Sequence, residues 1–239
     1  MNKYTGIADY YDLLMTQGYY DYETQSDCLA ELFKHGKSVL ELGVGTGLLA
    51  EKLIQKLPDL EFVGMDFTPA MLKQARERLG ESVNLVEQNV ISMELEKTFD
   101  TIFSNGGVWY FIENSEDEYI FCSHLPNIGD NLNGLRRVAS HLKKFGELIF
   151  SVQGVHRDYE QTLPQGLTYA QKITQLPDDC FDKCYIFSRE GEVLNEQICK
   201  YRLFDEEEIR SILRDIGLEF KEITSCRQYH VYHKVCELS

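Results

Sequence analysis

No stretch of this 239-residue chain approaches the roughly 18 consecutive apolar residues that cross a bilayer as a helix. Basic residues are scarce: 24 Lys and Arg stand against 39 Asp and Glu, a formal net charge of −15. Binding to a nucleic-acid backbone or to an anionic membrane surface rests on Lys and Arg, so no nucleic acid and no membrane is expected as a partner. The seven cysteines, Cys28, Cys122, Cys180, Cys184, Cys199, Cys226 and Cys236, include no Cys-x-x-Cys. The N-terminus, Met1-Asn2-Lys3-Tyr4-Thr5, has no basic segment followed by an apolar one. Together with the odd cysteine count, this predicts free thiols in a reducing cytoplasm. No metal is expected either. The nearest zinc-like spacing, Cys180-x-x-x-Cys184, lacks a second pair of ligands. His230 and His233, three apart on a predicted strand, would point to opposite faces.

What is present suits a folded domain. Hydrophobic residues make up 43% and charged residues 26%, enough at this length for one core without staples. The chain reads as a single domain, 1–239, with no internal repeat. Six tyrosines (Tyr4, Tyr10, Tyr11, Tyr19, Tyr20 and Tyr22) crowd into its beginning. Ala8–Leu14 and Tyr22–Lys34 read as helices, and residues 1–35 are expected to form a helical lid, not part of the core.

After the leader, strands and helices alternate. Strands are predicted at Ser38–Leu42, at Glu61–Met65 closing on Asp66, and at Asn84–Gln88, Phe99–Ser104 and Gly146–Val152. Helices are predicted at Thr46–Leu57, at Pro69–Leu79 capped by Thr68, and at Asn131–Lys144. This is the period of βαβ units, so the fold class is α/β: a Rossmann-like, doubly wound, mostly parallel sheet. Residues 153–204 break the pattern. Runs at Leu167–Thr174, Phe181–Ser188 and Val193–Leu203, with a turn at Glu190-Gly191, read as an antiparallel β-meander inserted over the acceptor pocket. A capped helix, Asp205–Gly217, and a hairpin, Leu218–Thr224 with Tyr229–Cys236, complete the pattern.

The sharpest motif is Glu41-Leu42-Gly43-Val44-Gly45-Thr46-Gly47, where a strand ends, glycines turn and a helix starts. Such a loop lets a ligand approach the backbone beyond the carboxyl ends of the strands. The dinucleotide fingerprint Gly-x-Gly-x-x-Gly fails, because position 48 is Leu48. Glu41 would also repel a pyrophosphate, which disfavours an NAD-linked oxidoreductase. Asp66, closing the second strand, can chelate ribose hydroxyls. Ribose plus a cationic group without a diphosphate describes S-adenosylmethionine.

These residues resemble motif I of class I SAM-dependent methyltransferases. Gly64-Met65-Asp66-Phe67-Thr68-Pro69-Ala70-Met71-Leu72 resembles their second motif, Glu87-Gln88-Asn89-Val90 their adenine-facing segment, and Asp100–Gly107 their strand-four motif. The resemblance implies that Gly43 and Gly45 let the cofactor pass and that Glu41 lies near its methionine end. It implies further that Asp66 holds the ribose, and that Phe67, Met71, Asn89 and Val90 surround the adenine. Ser104 and Asn105 would present backbone groups to the methionine amine. Asn89 departs from the commoner acid at its position. S-adenosylhomocysteine would be the product.

The leader, Asp9-Tyr10-Tyr11-Asp12 with Tyr19-Tyr20-Asp21-Tyr22, is similar to that of small-molecule N-methyltransferases acting on amino sugars and glycine. Tyr11 and Tyr22 are the expected cofactor contacts, with Tyr11 also catalytic; aromatic rings tolerate a sulfonium by cation–π attraction. The loop Gly106-Gly107-Val108-Trp109-Tyr110-Phe111 should line the acceptor pocket through Trp109 and Tyr110. No Asn/Asp-Pro-Pro-Tyr/Phe occurs, which disfavours a nucleobase amine. His156 is the candidate base and, with Tyr159, a substrate contact; Asp158 and His124 are further candidates. The expected function is methyl transfer to a small molecule, an amine nitrogen before a hydroxyl, by a monomer or homodimer. A non-catalytic SAM-binding module is the reading from another class.

Overall fold

The protein is described by a computed structural model covering residues 4–35 and 38–235; Cys236 and the first three residues lie outside it. Buried apolar runs bounded by turns form the centre. β1 (Ser38–Leu42) is buried at every position and pairs in parallel with β2 (Glu61–Asp66) on one side and β4 (Phe99–Ser104) on the other. β3 (Asn84–Glu87) extends the sheet beyond β2. β7 (Leu142–Gly154) adds beyond β4 in parallel, followed by the antiparallel pair β13 (Tyr229–Lys234) and β12 (Leu218–Ile223). The helices α3 (Leu48–Lys56), α4 (Pro69–Leu79), α5 (Ile128–His141) and α6 (Glu206–Asp215) accompany these strands. The doubly wound α/β class is therefore as expected. Among the described residues, no helix is long and apolar enough to cross a membrane.

β7 joins a second sheet. Its last residues, Val152–Gly154, pair in parallel with β5 (Trp109–Ser115), which forms a hairpin with β6 (Glu118–Ser123). β6 continues antiparallel into β11 (Glu192–Asp205), β10 (Cys180–Arg189), β9 (Leu167–Leu176) and β8 (Tyr159–Leu163). The β5–β6 hairpin corrects the reading of residues 106–111 as a pocket loop: from Trp109 onward they are buried strand.

Three further corrections concern local chemistry. α5 starts at Ile128, three residues before the predicted start. Asn127 accepts from the Asp130 amide and caps it there, and the chain is already β-strand at Lys143 and Lys144. Thr68 makes no side-chain cap on α4; its own amide instead donates to Asp66 at 2.8 Å. Cys28 and Cys226, 198 residues apart in sequence, form a disulfide, against the expectation of free thiols throughout. Cys122, Cys180, Cys184 and Cys199 are free.

The leader comprises α1 (Ala8–Leu14) and α2 (Tyr22–Leu32), separated by a kink at Gly18, whose φ of +88° is open to glycine. Ile7 and Leu14 are fully buried and Met15 nearly so, packed with Tyr110, Tyr169, Phe187 and Tyr201 of the second sheet. Each such side chain contributes about 1.5–3 kcal/mol. The leader therefore supplies core, which corrects the expectation that it is cover alone.

Candidate active site

One cavity lies at the carboxyl ends of β1, β2 and β4, between the first sheet, the second sheet and the leader. At its first-sheet end, Gly43 and Gly45 line it with φ of +73° and +57°. A Cβ on Gly43 would fall 2.9 Å from the Gly107 Cα, so the turns after β1 and β4 pack backbone against backbone. Asp66, Phe67 and Met71 line the same end, with Gln88 and Val90.

The Asp66 carboxylate accepts from the Gly45 amide at 3.0 Å and from the Thr68 amide at 2.8 Å. Burial raises its pKa, and these amide hydrogen bonds oppose that rise. The Thr68 hydroxyl and the Phe67 amide add to that opposition, so the turn after β2 gathers donors around this carboxylate. Glu41 is buried behind the loop, and its Oε2 has no hydrogen-bond partner. Burial, reinforced by the charge of Asp66, pushes its pKa well above the usual carboxylate range.

The opposite end is aromatic and carries nitrogen bases. The Tyr110 hydroxyl lies 2.8 Å from His156 Nε2. Lys183, on β10, places its ammonium 2.6 Å from the Tyr19 hydroxyl and 3.5 Å from His156 Nδ1. Tyr4, Tyr185 and Tyr201 bring their hydroxyls together at 2.7–3.4 Å, with His124 Nδ1 3.4 Å from Tyr4. Burial pulls the Lys183 pKa down to about 7. His124 falls to about 3 and His156 well below the ordinary imidazole value, by burial first and then by the nearby Lys183 charge. Both imidazoles are therefore neutral at pH 7.

Of the residues picked from sequence, Tyr11, Gly43, Gly45, Asp66, Phe67, Met71, Val90, Asn105, Tyr110 and His156 share this cavity. Tyr11 lies over the glycine loop, its Cε1 and its hydroxyl oxygen each 3.9 Å from where a Gly45 Cβ would sit. Others sit elsewhere. Tyr22 packs on Tyr20 beside the cavity, with ring centroids 5.5 Å apart. The Asn89 side chain accepts from the Ile91 amide and caps a short turn instead of facing the cavity. Ser104 is fully buried and accepts from the Trp109 amide. Tyr159 stacks edge-on against Tyr169, outside the cavity wall. Asp158 is exposed and accepts from the Ile173 amide.

Trp109 is the clearest correction: it is fully buried, donates its indole N–H to Asn131 at 2.8 Å and presses against Gly134. It belongs to the core and not to a substrate surface. His230 is likewise core, stacked on Phe111 at 4.0 Å between centroids, and no cluster of His, Cys, Asp or Glu among the described residues could hold a metal.

Sequence reading missed Lys183 altogether and underweighted His124. A signal existed for the lysine. Phe181, Lys183, Tyr185 and Phe187 alternate on one face of β10, so the strand's period places Lys183 inward with three aromatics.

Residues 39–122 match a family described as a methyltransferase domain. Among curated proteins, the chain is 30% identical over 159 residues to a malonyl-[acyl-carrier protein] O-methyltransferase from Ilyobacter polytropus, covering 62% of this chain and 53% of that protein. The chain spans about half the length of the curated relatives it matches. Among solved structures, a SAM-dependent methyltransferase from Clostridium acetobutylicum superposes with a TM-score of 0.71 at 20% identity, covering 98% of this chain and 99% of that one. A SAM-bound amino pentose methyltransferase from Micromonospora echinaspora gives 0.69 at 17% identity, covering 94% and 96%. The fold is thus that of the class I SAM-dependent methyltransferases.

Proposed function

We propose, on the premise that this chain carries a methyltransferase domain on the class I fold, that it transfers a methyl group from S-adenosylmethionine to a small molecule, at an amine nitrogen. One observation carries the reading: a single cavity has the glycine loop and Asp66 at one end and an aromatic pocket holding Lys183, His124 and His156 at the other. The residues fit the cofactor. Asp66 lines the cavity beside the glycine loop, where a carboxylate can accept from ribose hydroxyls. Phe67 and Met71 offer apolar cover for the adenine. Glu41 Oε2, buried behind the loop, is left without a partner, and an ammonium group on the cofactor would supply one. When bound, the cofactor supplies an electrophilic methyl carbon on a sulfonium.

The chain's own residues then act mainly by positioning. Tyr11 lies over the glycine loop, and its ring face accommodates positive charge nearby. His156 and Tyr110 form a hydrogen-bonded pair that orients an acceptor. Because burial holds the His156 imidazole neutral and weakly basic, it suits an amine entering with its lone pair free better than a hydroxyl needing a base. Hydroxyl methylation has one observation in its favour: Lys183, pulled down to about 7, could take a hydroxyl proton.

Calorimetric titration with S-adenosylmethionine and, in parallel, NADH tests the cofactor. Mass spectrometry after incubation with isotopically labelled S-adenosylmethionine and a panel of amines and alcohols tests the transfer. Failure to bind S-adenosylmethionine would refute the reading. Binding without any labelled product would leave a non-catalytic SAM-binding module.

A further inference from the structure

Lys183 is a cation in an unusual place. It is 1% exposed, sits in the wall of the cavity, and makes no ion pair with any described residue. Its neighbours are the Tyr19 hydroxyl, the His156 imidazole and the rings of Tyr19 and Tyr185, whose centroids lie 5.2 and 4.8 Å from Nζ. An ammonium has three donors, and these contacts use two. A buried charge without a counter-ion is costly and persists where something else supplies the partner.

The surroundings define that partner. Tyr4, Tyr185 and Tyr201 keep their protons, because burial raises all three phenols, and so remain hydrogen-bond donors. The imidazoles of His124 and His156 are neutral, so each adds one N–H and no charge. Among the described residues, the one carboxylate lining the cavity, Asp66, stands at the glycine-loop end and is already engaged by two amides. Among the described residues, the acceptor end therefore has one amine that is protonated below about pH 7, several O–H and N–H donors and no carboxylate.

We infer that Lys183 is the docking point for a carboxylate on the acceptor, so that the substrate class is a small amine that also carries a carboxylate, with an apolar body against the tyrosine rings. This rests on the proposed methyltransferase reading for the word acceptor; the anion site itself does not. The carboxylate completes the third ammonium hydrogen bond and takes one from a phenol of the Tyr4, Tyr185 and Tyr201 cluster. Lys183 then fixes which atom faces the glycine loop.

The test is direct binding to the full-length protein, with phenylacetate and succinate as probes against phenylacetamide and succinamide. The acids should bind at least tenfold more tightly than their amides. Lys183→Met should abolish that preference and Lys183→Arg should keep it, while S-adenosylmethionine affinity, read at the Asp66 end, stays unchanged in both. The acid preference should also fade as pH rises through about 7, the neutral amine being unable to pair with an anion. Equal binding of acid and amide, a preference that survives Lys183→Met, or no binding of either acid at millimolar concentration would overturn the inference. Loss of S-adenosylmethionine binding in the wild-type protein would instead refute the cofactor reading and leave the anion site standing.

Discussion

Asp12 is the point at which α1 is latched over the glycine loop, and breaking it tests whether the leader gates the cavity. Its Oδ1 accepts from the Thr46 hydroxyl at 2.5 Å, and its Oδ2 pairs with the Arg78 guanidinium from α4. Arg78 Nε also donates to the Thr46 carbonyl at 2.9 Å, so one arginine ties leader, loop and helix together. Hydrogen bonds to charged groups contribute about 1.5–3 kcal/mol each when well sheltered. Here the Asp12 and Arg78 side chains are 33% and 23% exposed, and solvent screening reduces the pair to about 1–2 kcal/mol in total. Asp12→Asn keeps the shape and the Thr46 contact but removes the charge. Opening of α1 should then become about 5–30-fold more frequent. Gln74, donating to the Ala8 carbonyl at 2.9 Å, and the buried Ile7, Leu14 and Met15 still hold the segment in place. Hydrogen exchange should speed by that factor across Ala8–Leu14 and not in β1, and S-adenosylmethionine should leave faster by a similar factor in stopped flow. Unchanged exchange in α1 would mean the latch holds nothing. Faster exchange with an unchanged off-rate would mean that α1 does not gate the cofactor.

Asp66→Ala should weaken S-adenosylmethionine binding at least tenfold by calorimetry, since ribose loses its charged acceptor and the Gly45 and Thr68 amides lose theirs. Trp109→Ala should cost about 3–5 kcal/mol in urea unfolding, with cofactor affinity per folded molecule preserved; a selective loss of acceptor binding would restore Trp109 to the pocket. His156→Ala should lower kcat less than tenfold, and a loss of 100-fold or more with intact cofactor affinity would favour a hydroxyl acceptor. Burial raises the folded pKa of Glu41 above its unfolded value, so the unfolded chain releases that proton first and stability falls as pH climbs from the unfolded carboxylate pKa toward the folded one. Glu41→Gln should flatten that fall in thermal melts of the cofactor-free protein, leaving the smaller slope from Asp66, which is raised in the same direction. A melting profile identical to wild type would mean Glu41 is not the buried acid.

The middle of the central sheet was legible because β1, β2 and β4 are buried on both faces and bounded by strong turn residues: β1, β4 and α4 have the predicted limits. The β5–β6 hairpin was not. Trp109–Ile112 is uniformly buried, without period-two alternation, and the tight turn that follows runs through Asp117 at φ +62° with neither Gly nor Pro to announce it. α5 was displaced because an asparagine cap with Gly129 behind it reads as loop. At the site, residues whose role depends on backbone, such as Gly43 and Asp66, could be placed from motif spacing. Trp109 could not, because motif position does not say which side of a strand a side chain takes. The disulfide was invisible for a different reason: a separation of 198 residues leaves no local trace of which two thiols meet.

That disulfide divides the molecule topologically. Everything between Cys28 and Cys226 becomes a closed ring, and the residues before Cys28 become an arm tethered to it. The anchor at Cys226 lies in the turn leading into β13, which is zipped to β7. The peptide chain alone keeps an arm released from its latch from diffusing away, and the bond shortens its tether by pinning it at Cys28. Tyr11 stays within a short chain length of the glycine loop, at an effective local concentration on the order of millimolar. Reclosure is then a first-order event whose rate is independent of how dilute the protein is. A reductant would lengthen the tether without altering any residue that lines the cavity, so thiol state would change how quickly the arm returns and leave what it returns to the same.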